Sequence, residues 1–365
     1  MDIHTVTLNT IKVVRQSFQD RGDKGFNEFV DELFKKYNEQ LHTIDNGCSF
    51  KSQLLEEVEF VEERIVDSIS DYYSGSIMGA SVEIQRLHSH FERTLHVHQI
   101  KEGDIWYRGR IMKRGGRLFG RKEMFHIPDN CRENVSNQRF SFIGYPCLYL
   151  GKSIWDCWEE LNEPYLDDIC FSAFKATEDI KLANLTLPTI EMVENRVISN
   201  YYNLLSTLPL IILCSIKTLN ENANFKPEYI IPQLLMMDLI NYSKYDGYMF
   251  TSTKQNTSLN WDEGYLYNIV LPVSRSFDEE GLCLNLKRKF LVTDPVCYKY
   301  EYLKASISNL SFATEEDIER LFSNQIIEND MDPYPNSLFG QIENVLREKV
   351  FLPIIKCTLS LWNTE

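Results

Sequence analysis

Several signatures are missing from this 365-residue chain. Its nine cysteines include no C-x-x-C pair and are odd in number, so neither a zinc site nor a disulfide framework is expected. They read as reduced, mostly buried thiols of a cytosolic protein. No apolar run reaches bilayer length: the longest, L-P-L-I-I-L-C-S-I from Leu208, has about half the residues a spanning helix needs. The N-terminus, M-D-I-H-T-V-T-L-N-T, carries an acid at position 2 and no apolar core of signal-peptide length. A soluble, cytoplasmic protein with no membrane partner is expected. Cations are scarce, 38 Lys and Arg against 53 Asp and Glu for a net charge of −15, which disfavours a nucleic-acid partner but leaves room for a small phosphorylated ligand in one basic pocket. No repeat and no G-x-S-x-G nucleophile elbow is visible.

What is present is enough apolar surface for a sizeable core, 43% hydrophobic residues with 12% aromatic. The first hundred residues carry helical periodicity. Phe26, Phe29, Val30, Leu33, Phe34 and Tyr37 recur at three and four, as do Leu54, Leu55, Val58, Val61, Ile65 and Ile69. A third helix is predicted over about 76–98, with Ile84, Leu87, Phe91 and Leu95 on one face. From Gly103 the texture changes to short strands: I-W-Y-R-G-R, P-C-L-Y-L-G, D-I-C-F-S-A-F-K, D-I-K-L-A-N-L-T-L, and later G-Y-M-F-T-S and L-Y-N-I-V-L-P. Helices are predicted among them at 153–162, about 189–205, and 227–242. In the last stretch Thr314 and Asp317 precede Ile318, Leu321 and Phe322 in a capping arrangement. The expected class is α+β, with a helical N-terminal domain over 1–100, a mixed α/β domain over 101–300 and a C-terminal helical extension over 301–365.

Lys101 to Lys122 is the most basic segment, eight Lys or Arg against two acids. Its Gly-rich part, Lys113 to Lys122, reads as a solvated, mobile loop. Arg108 differs because it lies within a strand, where alternation places Trp106, Arg108 and Arg110 on one face and Ile105, Tyr107 and Gly109 on the other. An Arg held this way offers a fixed fork to phosphate oxygens, or else makes a structural ion pair.

Residues 137–161 combine Arg139, a Gly-Pro turn, a strand ending at Leu150 and a helix opened by Ser153 as N-cap. Glu159 and Glu160 fall on opposite edges of that helix's buried face, and periodicity does not choose between them. Residues 232–254 read as helix, turn and a strand ending in Ser252, which by itself is most often a turn residue.

Together these stretches resemble the RES domain family. Y-R-G-R is similar to its opening aromatic-Arg strand (Tyr107, Arg108), and Q-R-F-S-F-I-G-Y-P-C-L-Y-L-G to its G-R-F-N-x-x-G-x-P-A-L-Y-L-A segment (Arg139, Tyr149). The family's functional Glu lies eleven residues after that Tyr, which selects Glu160. D-G-Y-M-F-T-S matches D-G-I-x-Y-P-S (Ser252), and Y-N-I-V-L-P the later Asn-containing strand (Asn268). Gln138 and Ser141 stand where the family has Gly and Asn.

The resemblance implies an ADP-ribosyltransferase-like fold acting on NAD as substrate without a metal, as an NAD glycohydrolase, phosphorylase or ADP-ribosyltransferase. It further implies a toxin–antitoxin or phage-defence role, with an antitoxin or immunity protein as partner. Arg108, Glu160 and Ser252 would be catalytic, and Tyr107, Arg139, Tyr149 and Asn268 would bind NAD. The N-terminal stretch R-T-L-H-V-H has an Arg93-x4-His98 spacing that resembles the HEPN ribonuclease motif, although His88, His90, His96 and His98 equally suit the wet edge of one helix. Two alternatives follow: a ribonuclease acting through Arg93 and His98, and a silent nucleotide-binding module, for which Gln138 and Ser141 are the motive. The helical domain would restrain the catalytic one or make a homodimer.

Overall fold

The computed structural model describes residues 1–112, 118–242, 244–254, 267–298 and 334–354. The expected capping arrangement at Thr314–Phe322 and residues 113–117 of the basic run lie outside the described residues.

The chain opens with five helices: α1 (Ile3–Gln19), α2 (Phe26–His42), α3 (Lys51–Tyr73), α4 (Ile77–Arg86) and α5 (His88–Thr94). Asp2 caps α1 by accepting from the Thr5 amide at 3.1 Å. The stripes predicted for α2 and α3 are the faces that are buried. The third expected helix is broken at Leu87 and ends at Thr94, because residues 97–100 form a strand instead. That strand, β1 (Val97–Ile100), pairs with β5 from Val97↔Ala183 to Ile100↔Ile180, and its inter-strand hydrogen bonds win over helical continuation. The residues expected on the third helix's inner face, Ile84, Leu87, Phe91 and Leu95, are all buried.

The remaining elements are β2 (Ile105–Ile111), β3 (Cys147–Gly151), α6 (Ile154–Glu160), β4 (Ile169–Ala176), β5 (Ile180–Leu185), α7 (Ile190–Glu194), α8 (Tyr201–Ser215), α9 (Ile230–Tyr242), β6 (Gly247–Thr251), β7 (Tyr267–Pro272), α10 (Leu284–Lys289), β8 (Phe290–Val292), β9 (Val296–Cys297) and α11 (Leu338–Glu348). The architecture is α+β. One mixed sheet runs in the order β1-β5-β6-β7-β3-β2-β4-β8, with β9 beside β4. Only β5 and β6 pair in parallel among these strands.

The helix expected over 189–205 is two helices, separated at Arg196, whose φ of 54° ends α7. The second runs on through the apolar stretch to Ser215. Pro209 sits inside it and leaves the carbonyl of Leu205 without its helical donor. The buried Tyr37 hydroxyl, from α2, donates to that carbonyl at 2.5 Å. This bond shows how closely the N-terminal helices are joined to the rest: α1 to α5, α8, α9 and one face of β5, β6 and β7 share a single apolar core. A second core, with Trp106, Phe174 and Ile269, lies on the opposite sheet face under α10. A third, with Tyr107, Phe171 and Ala173, is covered by α6 and α11.

Two further expectations need correction. Cys170 and Cys297 are not free thiols but are disulfide-bonded, because the pairing of β4 with β9 sets them directly opposite one another. The described end of the basic run is not a free loop either. Arg121 pairs with Asp294 at 2.7 Å and Lys122 with Glu280 at 2.6 Å, so these cations hold a single helical turn against the domain. No helix among the described residues is long and apolar enough to cross a membrane.

Candidate active site

The site originates in a parting of the sheet. β2 pairs with β4 along its whole length, from Ile105↔Lys175 to Ile111↔Ile169, yet it meets β3 in register only at Tyr107↔Gly151. Beyond that point the two strands separate. Arg108 reaches across the opening and donates from Nη1 to the backbone oxygen of Tyr149 at 3.0 Å. A cleft of about 360 Å³ fills the gap, lined by Arg108, Arg139, Tyr149, Glu160 and Asn268, among others.

α6 brings the carboxylate. Ser153 and Asp156 form a reciprocal capping box that starts the helix, and Gly151 lets it lie close to the sheet, since a Cβ there would stand 2.9 Å from the Cys157 sulfur. α11 holds the same helix end: Glu343 accepts from the Ile154 amide at 3.0 Å and from the Tyr334 hydroxyl at 2.6 Å. Glu160, the last residue of α6, therefore projects from a fixed support. Its Oε1 accepts from Ser252 Oγ at 2.7 Å and from Asn268 Nδ2 at 2.8 Å, the ends of β6 and β7. Three residues remote in sequence thus converge on one oxygen.

Among the described residues Glu160 and Arg108 have no ion-pair partner. Arg108 Nε is buried without an acceptor, and burial, reinforced by nearby Arg110, lowers its affinity for a proton to about 10. It remains charged at neutral pH and under-solvated, which suits it to an anionic ligand. Arg110 is drawn aside to the Glu123 carbonyl and the Phe119 ring.

Arg139 also reaches the cleft, but with more of its capacity already engaged. It donates to Cys214 O at 3.3 Å and Thr253 Oγ1 at 2.9 Å, and its guanidinium lies 5.1 Å from the centre of the Tyr229 ring. Tyr149 lines the wall with its hydroxyl tied to the Phe140 amide (3.2 Å) and Ser141 Oγ (2.9 Å). Ser141 is thereby accommodated, and Gln138 offers its backbone oxygen to Gln233 Nε2 at 2.9 Å. Ser252 lies just behind the cleft surface, acting on Glu160.

Tyr107 does not reach the site. It is fully buried in the core under α6 and α11, where Arg347 Nε donates to its hydroxyl at 2.8 Å. Strand alternation separates it from Arg108, as the face assignment requires. The Arg93 and His98 pair also fails geometrically. Arg93 is on α5 and His98 on β1, so the spacing that would align them on one helix does not apply.

Sequence reasoning missed Lys254, Lys226 and Tyr229, all of which line the cleft. Lys254 Nζ donates to the Glu160 carbonyl at 2.9 Å and Asn162 Oδ1 at 2.8 Å. Its position two residues after Ser252 was a usable signal. Lys226 and Tyr229 come from the connection between α8 and α9, and no local pattern marks them. No cluster of three or more metal-binding side chains occurs among the described residues.

No family model matches the chain, and no solved structure matches it. A curated Bacillus subtilis (strain 168) protein named "Putative toxin YopC" is 30% identical over 299 residues, which make up 76% of this chain and 67% of that protein. With that identity sustained over two thirds of the relative, the chain belongs to the same family as this Bacillus subtilis protein.

Proposed function

We propose that this protein is a toxin-type enzyme of the RES class that consumes NAD by breaking its nicotinamide–ribose bond on an ADP-ribosyltransferase-like sheet. The observation that carries the reading is Glu160: a carboxylate oriented by two neutral donors, Ser252 and Asn268, that like Arg108 in the same cleft has no ion-pair partner among the described residues. Nicotinamide departs with the bonding electron pair, and the ribose ring gains positive charge as in glycoside cleavage. A fixed anion beside that ring stabilises the charge as it develops. The acceptor, water or phosphate, then bonds to the anomeric carbon and gives up a proton. Arg108 holds the pyrophosphate, assisted by Arg139, and the Tyr149 ring forms the wall beside the nicotinamide end. The residues described need no metal for these roles.

The name of the relative supports a toxin role, with an antitoxin or immunity protein as the restraining partner, and abundant NAD makes the cytoplasm the place of action. Purified protein incubated with NAD, with and without phosphate, should release nicotinamide, identified by mass together with its co-product. Glu160→Gln should abolish release. Absence of release from the wild type under both conditions, or survival in the variant, refutes the chemistry; binding by calorimetry without release would instead indicate a silent nucleotide-binding module.

A further inference from the structure

We propose that Arg21, outside the cleft in the turn between α1 and α2, is a positioning residue that sets one wall of the substrate site, so that the N-terminal helices govern how tightly the cleft holds its ligand. The inference rests on the cleft being the NAD site proposed above.

The wall is the connection 217–229 between α8 and α9. It contributes Glu221, Asn222, Lys226 and Tyr229 to the cleft, and its regular structure is limited to the single turn Pro227–Tyr229. A segment with so little internal hydrogen bonding is held in place by what grips it. Arg21 grips both ends. Its Nη1 donates to the Lys217 carbonyl at 2.7 Å, and its Nη2 lies 2.7 Å from Glu228 Oε1. Glu228 Oε1 in turn accepts from the Leu219 amide at 3.2 Å.

One guanidinium and one carboxylate therefore close the segment, and both are buried, with side chains 7% and 1% exposed. Phe29 of α2 supports the guanidinium from 5.1 Å. Near the middle of the segment, Phe225 stacks on Tyr72 and meets Tyr73 edge-on, at 6.1 and 5.8 Å, at the end of α3. The N-terminal helices thus make both the buried staple and the aromatic contact. The sheet side adds the Arg139 guanidinium, 5.1 Å from the centre of the Tyr229 ring, and a longer bond from Asn137 Nδ2 to the Asn224 carbonyl at 3.4 Å.

Glu160 on α6, Ser252 just past β6 and Asn268 on β7 do not touch this segment's staple. Loosening it lowers the fraction of molecules with a formed wall, which weakens binding in proportion and leaves the reacting groups in place. The test uses the full chain with Arg21→Met and, because that change strands Glu228 and can prevent folding, also a change at the 47% exposed Phe225, Phe225→Ala. Hydrogen exchange followed by mass spectrometry should show amides of 217–229 exchanging about tenfold faster with the sheet unchanged. KM for NAD should rise about fivefold while kcat stays within about twofold.

Unchanged exchange at 217–229 in the folded variants, or a fall in kcat at constant KM, overturns the inference. If the wild type releases no nicotinamide, the NAD reading fails, and exchange alone still decides whether Arg21 holds the wall. If the wild type is active and exchange does not respond, only the Arg21 inference fails.

Discussion

Carboxylates that are buried or half-buried are held in two different ways in this molecule. In the N-terminal helices and their contacts they are matched with cations or a histidine: Glu83 lies between Arg64 and Arg86, at 2.6 and 2.8 Å, Glu228 faces Arg21, and Asp238 meets His88 at 2.8 Å. Around α6 they are held mainly by uncharged donors. Glu160 has Ser252 and Asn268, Asp156 has the Ser153 hydroxyl and amide, and Glu343 has Tyr334 and the Ile154 amide, with Arg347 more distant at 3.4 Å. A matched cation fixes a carboxylate and cancels its field; a neutral donor fixes it and leaves the field available. The second arrangement is the one a site needs if it must stabilise a transient positive charge. Burial without a cation has a visible effect on Asp156, whose carboxyl is pushed well above the usual range, against the bonds from Ser153 that pull it back.

The largest effect should come from removing the available charge itself. Glu160→Gln keeps an acceptor for Ser252 and Asn268 but loses the anion, and nicotinamide release should fall by ~10³-fold or more, with KM little altered. Ser252→Ala leaves the charge and removes one of its two guides. It should reduce kcat by roughly 10- to 100-fold, and a double variant with Asn268→Ala should lose less than the product of the single losses. Equal losses for Ser252→Ala and Glu160→Gln would mean that Ser252 does more than orient.

In the helices the same manipulation should affect stability rather than turnover. Glu83→Gln leaves Arg64 partly buried beside an amide, and urea denaturation should show a loss of about 2–3 kcal/mol with kcat unchanged. Glu62 breaks the pattern within the helical half. It accepts from the neutral Asn38 Nδ2 at 2.7 Å, has no ion-pair partner among the described residues, and burial raises its carboxyl to about 7. The folded state then holds this proton more tightly than the unfolded chain, so the contribution to stability is full below about pH 4.5 and is lost as pH rises toward 7. Glu62→Gln should gain about 1 kcal/mol at pH 8, allowing for partial solvent screening, and nothing at pH 4. Thermal melts at both pH values measure it, and an equal gain at both would show that the carboxyl titrates normally.

Much of this comparison was legible in the sequence because it depends on local patterns. Period-two runs identify β2 to β7, and three-and-four spacing identifies α2 and α3. β1, β8 and β9 were not legible: they are two to four residues long, and only pairing with distant partners makes them strands. The disulfide depends on one such pairing. Glu160, Ser252 and Asn268 were singled out only by the resemblance to the RES family, and their meeting at a single oxygen is a property of the folded sheet. Tyr107 shows the opposite error, since adjacency to Arg108 in a motif counts against a shared face on a strand. Lys226 and Tyr229 reach the cleft through a connection whose shape is imposed from outside, by residues about two hundred positions earlier.

The grip of α11 on α6 also bears on how the protein is made. Glu343 leaves the ribosome long after Glu160, roughly ten to forty seconds later at ~5–20 residues per second. Until then the start of the helix that presents Glu160 lacks the carboxylate that anchors it. A nascent or prematurely terminated chain therefore carries Glu160, Ser252 and Asn268 without the α11 anchor at the start of α6. Under the function proposed above, this order of synthesis delays competence until α11 has emerged.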